Sequence, residues 1–187
     1  MRTFIAVPVA PPPALKRVLS QLAGHGSRSR PIPASNLHLT LKFLGETAQP
    51  QLPDIQRAIE AAIVGEFSTP AQLVGLGAFP TAARPSVLWV GVQQADLLIR
   101  IANRLETTCP EFGFAKESRE FVPHLTLMRF KARPADAVFE LLQTEQQTDF
   151  GQIPVEQVIH YESDFPSAGP EGPTYTPLST HQLPSAT

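Results

Sequence analysis

The chain has 187 residues, of which 42% are hydrophobic and 17% are charged. This is enough apolar content for a folded core and too little charge for a disordered chain. Fifteen Lys and Arg against seventeen Asp and Glu leave a net charge of −2, which argues against a protein that coats duplex nucleic acid but is compatible with a local cationic cleft. The single cysteine, Cys109, excludes a disulfide framework and a cysteine-based zinc site.

No apolar run in the sequence approaches the ~20 residues that a membrane span needs. The apolar N-terminus soon meets Pro8 and the prolines at residues 11–13, so we do not expect a signal peptide. We expect a monomer in the cytoplasm that does not bind membranes.

The spacing of the apolar residues predicts many short strands and helices. In chain order they are a strand over residues 2–9, a helix over 15–22, a strand over 36–44, a helix over 55–63, strands over 71–77 and 87–92, a helix over 97–105, a strand over 121–130, a helix near 138–142, and strands over 150–155, 157–163 and 175–178. Residues 180–187 are predicted to form a loose tail.

The order of these elements repeats. A strand, a helix, a strand that contains His-Leu-Thr-Leu and another helix occur in the first half, and the same order returns from the strand at 87–92 onward. An internal repeat of one supersecondary unit predicts two similar lobes that face each other. Because no linker separates them, we expect one bilobal domain over residues 1–179.

The two identical His-Leu-Thr-Leu tetrapeptides are the most informative feature of the sequence. One His-x-Thr match means little by itself, but two identical copies at equivalent places in a repeat form a specific signal. Because side chains alternate along a strand, His38 and Thr40 share one face, and so do His124 and Thr126. An approximate two-fold relation between the lobes would bring both pairs into one cleft.

Two imidazoles and two hydroxyls in one cleft suit a displacement at phosphorus. Imidazole titrates near neutral pH, so one ring can take a proton from the attacking group while the other gives a proton to the leaving oxygen. The hydroxyls of Thr40 and Thr126 would hold the non-bridging phosphate oxygens. We expect no metal and no cofactor, because two histidines without cysteines or a carboxylate triad make a poor zinc site.

Two alternatives to catalysis remain open. A single strand histidine is more often a half-buried residue with a satisfied hydrogen bond, and it is the doubling in matched settings that favours a site. A non-catalytic module that binds nucleotides or RNA ends in the same cleft is the other alternative. A pure binder needs no pair of proton carriers, so the intact His38 and His124 favour an enzyme.

Further segments around these motifs carry a family likeness that spans nearly the whole chain. They are RTFIAV at residues 2–7, NLHLTLKFLGE at 36–46, FP at 79–80, VLWVGV at 87–92, PHLTLMR at 123–129, YES at 161–163 and YTPL at 175–178. The chain thereby resembles the two-histidine phosphoesterase superfamily, and within it the RNA 2′,3′-cyclic phosphodiesterases, which are also known as 2′–5′ RNA ligases.

The resemblance implies a bilobal α+β fold with an antiparallel sheet in each lobe and a cleft between them. It also implies hydrolysis of the 2′,3′-cyclic phosphate at RNA ends or on nucleotides to a 2′-phosphomonoester, with ligation as a weak reverse activity. In such enzymes the first histidine, here His38, is the general acid toward the 3′-oxygen. The second, here His124, is the general base for water.

Three more residues are candidates for phosphate or base contacts. Strict alternation places Lys42 on the face of His38 and places Arg129 on the face opposite His124. Arg129 is therefore equally compatible with a structural ion pair and with phosphate binding. Tyr175 is a candidate for stacking on a nucleobase, as in proteins that bind single-stranded RNA.

Overall fold

The computed structural model describes residues 1–24, 29–164 and 172–185. Its strands are β1 (Arg2–Pro8), β2 (Ser29–Pro31), β3 (His38–Glu46), β4 (Thr69–Thr81), β5 (Arg84–Gln93), β6 (His124–Phe130), β7 (Asp149–Val155), β8 (Gln157–Asp164) and β9 (Thr174–Gln182). Its α-helices are α1 (Pro13–Ala23), α2 (Leu52–Ile63), α3 (Asp96–Thr108) and α4 (Asp136–Thr144). All four helices and every strand except β2 were predicted from the apolar spacing.

The described strands form two antiparallel sheets. One sheet has four strands in the order β3-β1-β8-β9, and the other has five strands in the order β2-β6-β5-β4-β7. Each strand that carries a His-Leu-Thr-Leu tetrapeptide pairs antiparallel with the strand that opens its repeat, β3 with β1 and β6 with β5. The expected α+β fold with two antiparallel sheets is confirmed.

The repeat suggests that each half of the chain forms one sheet. The two sheets are not built in this way. β4 belongs to the first half but pairs with β5 in the five-stranded sheet, because the two strands form a tight hairpin from Thr81 to Arg84. β8 and β9 return from the C-terminal end to pair beside β1. The chain therefore crosses between the sheets four times, from β1 to β2, from β2 to β3, from β3 to β4 and from β7 to β8, which joins the lobes into one unit.

The helices also connect the two sheets. α3 leads from β5 to β6 in the five-stranded sheet, yet it packs against β3 of the other sheet. α1 follows β1 of the four-stranded sheet, yet it packs against β7 and β2 of the five-stranded sheet. Their apolar faces are buried, as with Leu15, Val18 and Leu22 of α1, and a single hydrophobic core runs through both lobes.

The C-terminal residues correct the sequence prediction. The loose tail was expected from residue 180, but β9 continues to Gln182, which pairs with Gln157. Leu183 is buried and Ser185 forms a bridge to Ser68. The apolar side chain of Leu183 and the backbone pairing hold this segment on the fold. Within the described residues, no helix has the length and apolar character needed to cross a membrane.

Candidate active site

The two His-Leu-Thr-Leu strands show the same pattern of burial. In both β3 and β6 the histidine and threonine are half-buried, and the leucine between them is buried. The two strands also lie in contact with each other although they belong to different sheets. Alternation within each tetrapeptide is therefore as the sequence predicts, and both His/Thr pairs line one cleft.

Each imidazole is held by the backbone in the same way. Nδ1 of His38 lies 2.7 Å from the carbonyl oxygen of Asn36, and Nδ1 of His124 lies 2.8 Å from the carbonyl oxygen of Val122. A carbonyl can only accept a hydrogen bond, so Nδ1 carries a proton in both rings. Nε2 is therefore the atom of each ring that is left to exchange a proton with a substrate.

Aromatic rings pack against both imidazoles and fix their planes. The His38 ring lies 4.9 Å from Phe4 and meets Tyr175 edge-on at 5.1 Å. The His124 ring meets Phe79 edge-on at 5.1 Å and lies 6.3 Å from Trp89. Such contacts leave each ring little rotational freedom, so its Nε2 is oriented before a substrate arrives.

The cleft has a volume of about 660 Å³ and a cationic lining. Its described lining residues include no Asp or Glu, although the chain as a whole carries a net charge of −2. They do include three arginines, Arg2, Arg30 and Arg129. A concave site with hydroxyls, imidazoles and guanidinium groups but no carboxylate is suited to a phosphate-bearing ligand.

The electrostatics of the cleft affect His38 directly. Burial lowers the pKa of His38, and the positive charge of Arg129 lowers it further, against an opposing contribution from the hydrogen bond to the Asn36 carbonyl. The net shift is downward, so the protein groups around His38 favour the neutral ring. A bound phosphate places negative charge nearby and acts in the opposite direction.

A β-bulge follows the tetrapeptide in both strands. Thr40 pairs with Ala6 and Lys42 pairs with Ile5, so Leu41 is an extra residue in β3. The same shift makes Leu127 the extra residue in β6. One extra residue reverses which face the following side chains occupy.

The bulges overturn two predictions made from strict alternation. Lys42 is buried away from the cleft rather than on the face of His38, so its predicted phosphate contact is wrong. Arg129 lies in the cleft rather than on the opposite face. Phe43 occupies the position in β3 that Arg129 occupies in β6, and it also lines the cleft.

Comparison with known proteins places the chain in a family. Residues 11–158 match the model of the 2′-5′ RNA ligase superfamily. The chain belongs to this superfamily. The resemblance inferred from the motifs is thereby confirmed.

Other members of the superfamily are similar over nearly their whole length. An RNA 2′,3′-cyclic phosphodiesterase of Aeropyrum pernix is 34% identical over 158 residues, which cover 83% of this chain and 89% of that one. TT0787 of Thermus thermophilus has a TM-score of 0.78 at 28% identity and is covered completely, as is this chain. Escherichia coli LigT complexed with 3′-AMP has a TM-score of 0.68 at 26% identity, with 97% of each chain covered.

Lys42 has a structural role in this member of the superfamily. Its fully buried ammonium donates to Oε1 of Glu106 at 2.8 Å and to the carbonyl oxygen of Ala115 at 3.0 Å. The other oxygen of Glu106 accepts from the backbone N–H of Glu117 at 2.9 Å. Lys42 therefore ties the bulge of β3 to α3 and to the segment that leads toward β6.

Tyr175 lies at the cleft as predicted, and the structure shows how it is placed there. The side chain of Asn36 donates to the carbonyl oxygen of Pro173 at 2.9 Å, just before β9 begins. Burial raises the pKa of the Tyr175 hydroxyl, with an opposing contribution from Arg129. Asn36 thus positions two residues of the cleft. Its backbone carbonyl orients His38, and its side chain holds the segment that leads to Tyr175.

Phe43, Arg30 and Arg2 line the cleft but were not among the site residues predicted from the sequence. Strict alternation would place Phe43 on the face opposite His38, and the bulge that turns it into the cleft has no local sequence signal. Arg30 lies in β2, which is too short to show any periodicity. Arg2 stands at the start of a strand that is otherwise apolar, and the charge of this residue next to that apolar run was the available signal.

Proposed function

We propose that this protein hydrolyses the 2′,3′-cyclic phosphate of RNA ends or nucleotides to a 2′-phosphomonoester by acid–base catalysis between His38 and His124. The observation that carries the proposal is the matched anchoring of both imidazoles, which leaves each Nε2 available in one cleft. Relatives that cover most of this chain are named RNA 2′,3′-cyclic phosphodiesterases. Both His/Thr pairs belong to one chain, so the proposed chemistry needs no second subunit, and we propose that the enzyme acts as a monomer.

The proposed step breaks one bond at phosphorus and forms another. His124 takes a proton from water as the water oxygen bonds to phosphorus, and the bond from phosphorus to the 3′-oxygen breaks as His38 gives that oxygen a proton. The hydroxyls of Thr40 and Thr126 donate to the non-bridging oxygens. Return of the proton from His124 to His38 through solvent completes the cycle. The same step with the 5′-hydroxyl of a second RNA strand in place of water forms a 2′–5′ phosphodiester, which is the weak ligation activity.

The charge of the substrate is part of this mechanism. The protein groups around His38 lower its pKa and favour the neutral ring, whereas the acid role requires a protonated ring. The negative charge of the bound cyclic phosphate stabilises the protonated form, so substrate binding prepares the acid. Arg129 carries no carboxylate partner among the described residues and is placed to bind the same phosphate.

Binding without catalysis is the alternative function. Escherichia coli LigT has been crystallised with 3′-AMP, ATP and NADP+, so that relative holds several nucleotides. Simple binding of a nucleotide does not require two imidazoles held with their Nδ1 atoms bonded to the backbone. The matched imidazoles favour hydrolysis over a binding module.

The product formed from adenosine 2′,3′-cyclic phosphate tests this proposal. We expect 2′-AMP, because His38 protonates the 3′-oxygen, and we expect the rate to be bell-shaped in pH and to survive EDTA. Chromatography against authentic 2′-AMP and 3′-AMP identifies the product. The variant in which both His38 and His124 are replaced by Ala, prepared in parallel, controls for contaminating nucleases. A 3′-AMP product would reverse the two roles, and loss of activity in EDTA would contradict a metal-independent mechanism.

A further inference from the structure

β2 has no counterpart in the repeat. The order β3-β1-β8-β9 of one sheet corresponds to β6-β5-β4-β7 of the other, and β2 is a fifth strand added beside β6. It pairs with β6 through Ser29, Arg30 and Pro31, and the N–H of Ile32 then donates at 2.8 Å to the carbonyl oxygen of Leu127. The added strand is thus fixed directly to the bulge that turns Arg129 into the cleft.

This strand places a second arginine beside Arg129. Arg30 and Arg129 are directly opposed in the ladder between β2 and β6, so their side chains leave the sheet on the same face, with Cβ atoms roughly 4.5–5.5 Å apart. Both are exposed and both line the cleft. The first sheet has no equivalent pair, because Phe43 stands at the position of Arg129 and no strand lies beyond β3 among the described residues.

Neither of these arginines is neutralised within the described residues. Five other exposed arginines form ion pairs, which are those of Arg17 with Glu145, Arg57 with Asp54, Arg100 and Arg104 with Glu66, and Arg133 with Asp136. The exposed Arg84 and Arg119 have no ion pair within the described residues, but neither of them lines the cleft. No carboxylate pairs with Arg30 or Arg129 in the part of the chain that the structure describes. Like charges directly opposed across strands are destabilising, and a bound anion would relieve this repulsion.

One phosphate does not account for all of these cations. The reacting phosphate already has the two histidines, the two threonines and Arg129 as partners. Arg30 lies one strand farther out, and its long side chain can reach an anion that does not touch the histidines. We propose that Arg30 binds a second phosphate, the one on the 5′ side of the terminal nucleotide, and so makes the enzyme prefer the end of an RNA strand to a cyclic mononucleotide.

This inference rests on the proposed function and is tested by a pair of substrates that differ only in the second phosphate. They are adenosine 2′,3′-cyclic phosphate and the same compound with a 5′-phosphate. The preference is the ratio of kcat/KM for the second compound to kcat/KM for the first. We expect Arg30→Gln to lower this ratio about tenfold, the size of one charge-assisted hydrogen bond at an exposed site.

A matched variant controls for the loss of one positive charge. Arg133→Gln removes the same charge from an exposed site that pairs with Asp136 and does not line the cleft. Arg133→Gln should leave the ratio unchanged. Arg30→Lys should give a ratio between that of the unmodified protein and that of Arg30→Gln. An unchanged ratio in Arg30→Gln would overturn the proposal. If kcat/KM also fell by the same factor on both substrates, Arg30 would be assigned to the reacting phosphate instead.

A binding measurement separates this inference from the proposed function. Calorimetry with 2′-AMP and with adenosine 2′,5′-bisphosphate needs no turnover. We expect the bisphosphate to bind more tightly to the unmodified protein, and Arg30→Gln to remove most of that difference. If the protein hydrolyses neither cyclic substrate, the proposed function fails while this comparison still reports on Arg30. Equal affinity for the two ligands in the unmodified protein would contradict the second phosphate site.

Discussion

Replacing either His38 or His124 with Ala is expected to lower kcat by about 10²–10⁴-fold, the usual contribution of one acid–base group. Each ring exchanges its proton through Nε2, and no neighbouring side chain in the described cleft offers a second imidazole at the same position. Thr40→Ala and Thr126→Ala should each cost less, because each removes one hydrogen bond to phosphate. Initial rates on adenosine 2′,3′-cyclic phosphate measure all four variants.

The double histidine variant gives the sharper comparison. If the two rings act in one step, the loss in the double variant should be far smaller than the product of the two single losses, because the second removal acts on a step already disabled. Circular dichroism and thermal unfolding of each variant control for misfolding, since both rings pack against aromatic neighbours. Full activity in the double variant would show that the chemistry lies elsewhere.

Glu106→Ala is expected to destabilise the fold by about 3 kcal/mol, toward the low end for a broken buried ion pair because Glu106 retains some contact with solvent. This variant leaves the fully buried ammonium of Lys42 with only the carbonyl of Ala115 as a partner. The energy of an unpaired buried charge is the cause. The free energy of unfolding in urea measures the effect.

The repeat itself provides the matched control for this prediction. The residue of β6 that corresponds to Lys42 is Met128, which is fully buried in the core. Lys42→Met should therefore cost less than Glu106→Ala, since it removes the buried charge and leaves Glu106 bonded to the N–H of Glu117. A larger loss in Lys42→Met than in Glu106→Ala would contradict this account of the pair.

Local features of the chain were predictable, and features that depend on a partner strand were not. The helices were predicted from apolar residues spaced three or four positions apart. The shared face of His and Thr in each tetrapeptide was predicted from alternation over four residues. The bulges at Leu41 and Leu127 depend on how β3 and β6 pair with β1 and β5, and no residue in either tetrapeptide signals them. The error at Lys42 and Arg129 came from extending alternation past that point.

The cationic lining of the cleft could not be predicted from local sequence patterns either. Arg2, Arg30 and Arg129 are far apart in the chain and come together only because β1 and β6 belong to sheets that face one cleft and β2 is added beside β6. β2 itself has only three residues, with a proline at its end. A segment of this length has no periodicity to detect, and its pairing with β6 is what makes it a strand.

A crystal structure of the protein with 2′-AMP tests the central claim most directly, because the claim is that two imidazoles act on opposite sides of one phosphate. We predict that the phosphate lies between the Nε2 atoms of His38 and His124, with these atoms roughly 5–8 Å apart, since each must reach an oxygen on the opposite side of phosphorus. Both threonine hydroxyls should contact its oxygens. A phosphate that contacts only one imidazole, or Nε2 atoms that face separate surfaces, would contradict the proposed mechanism.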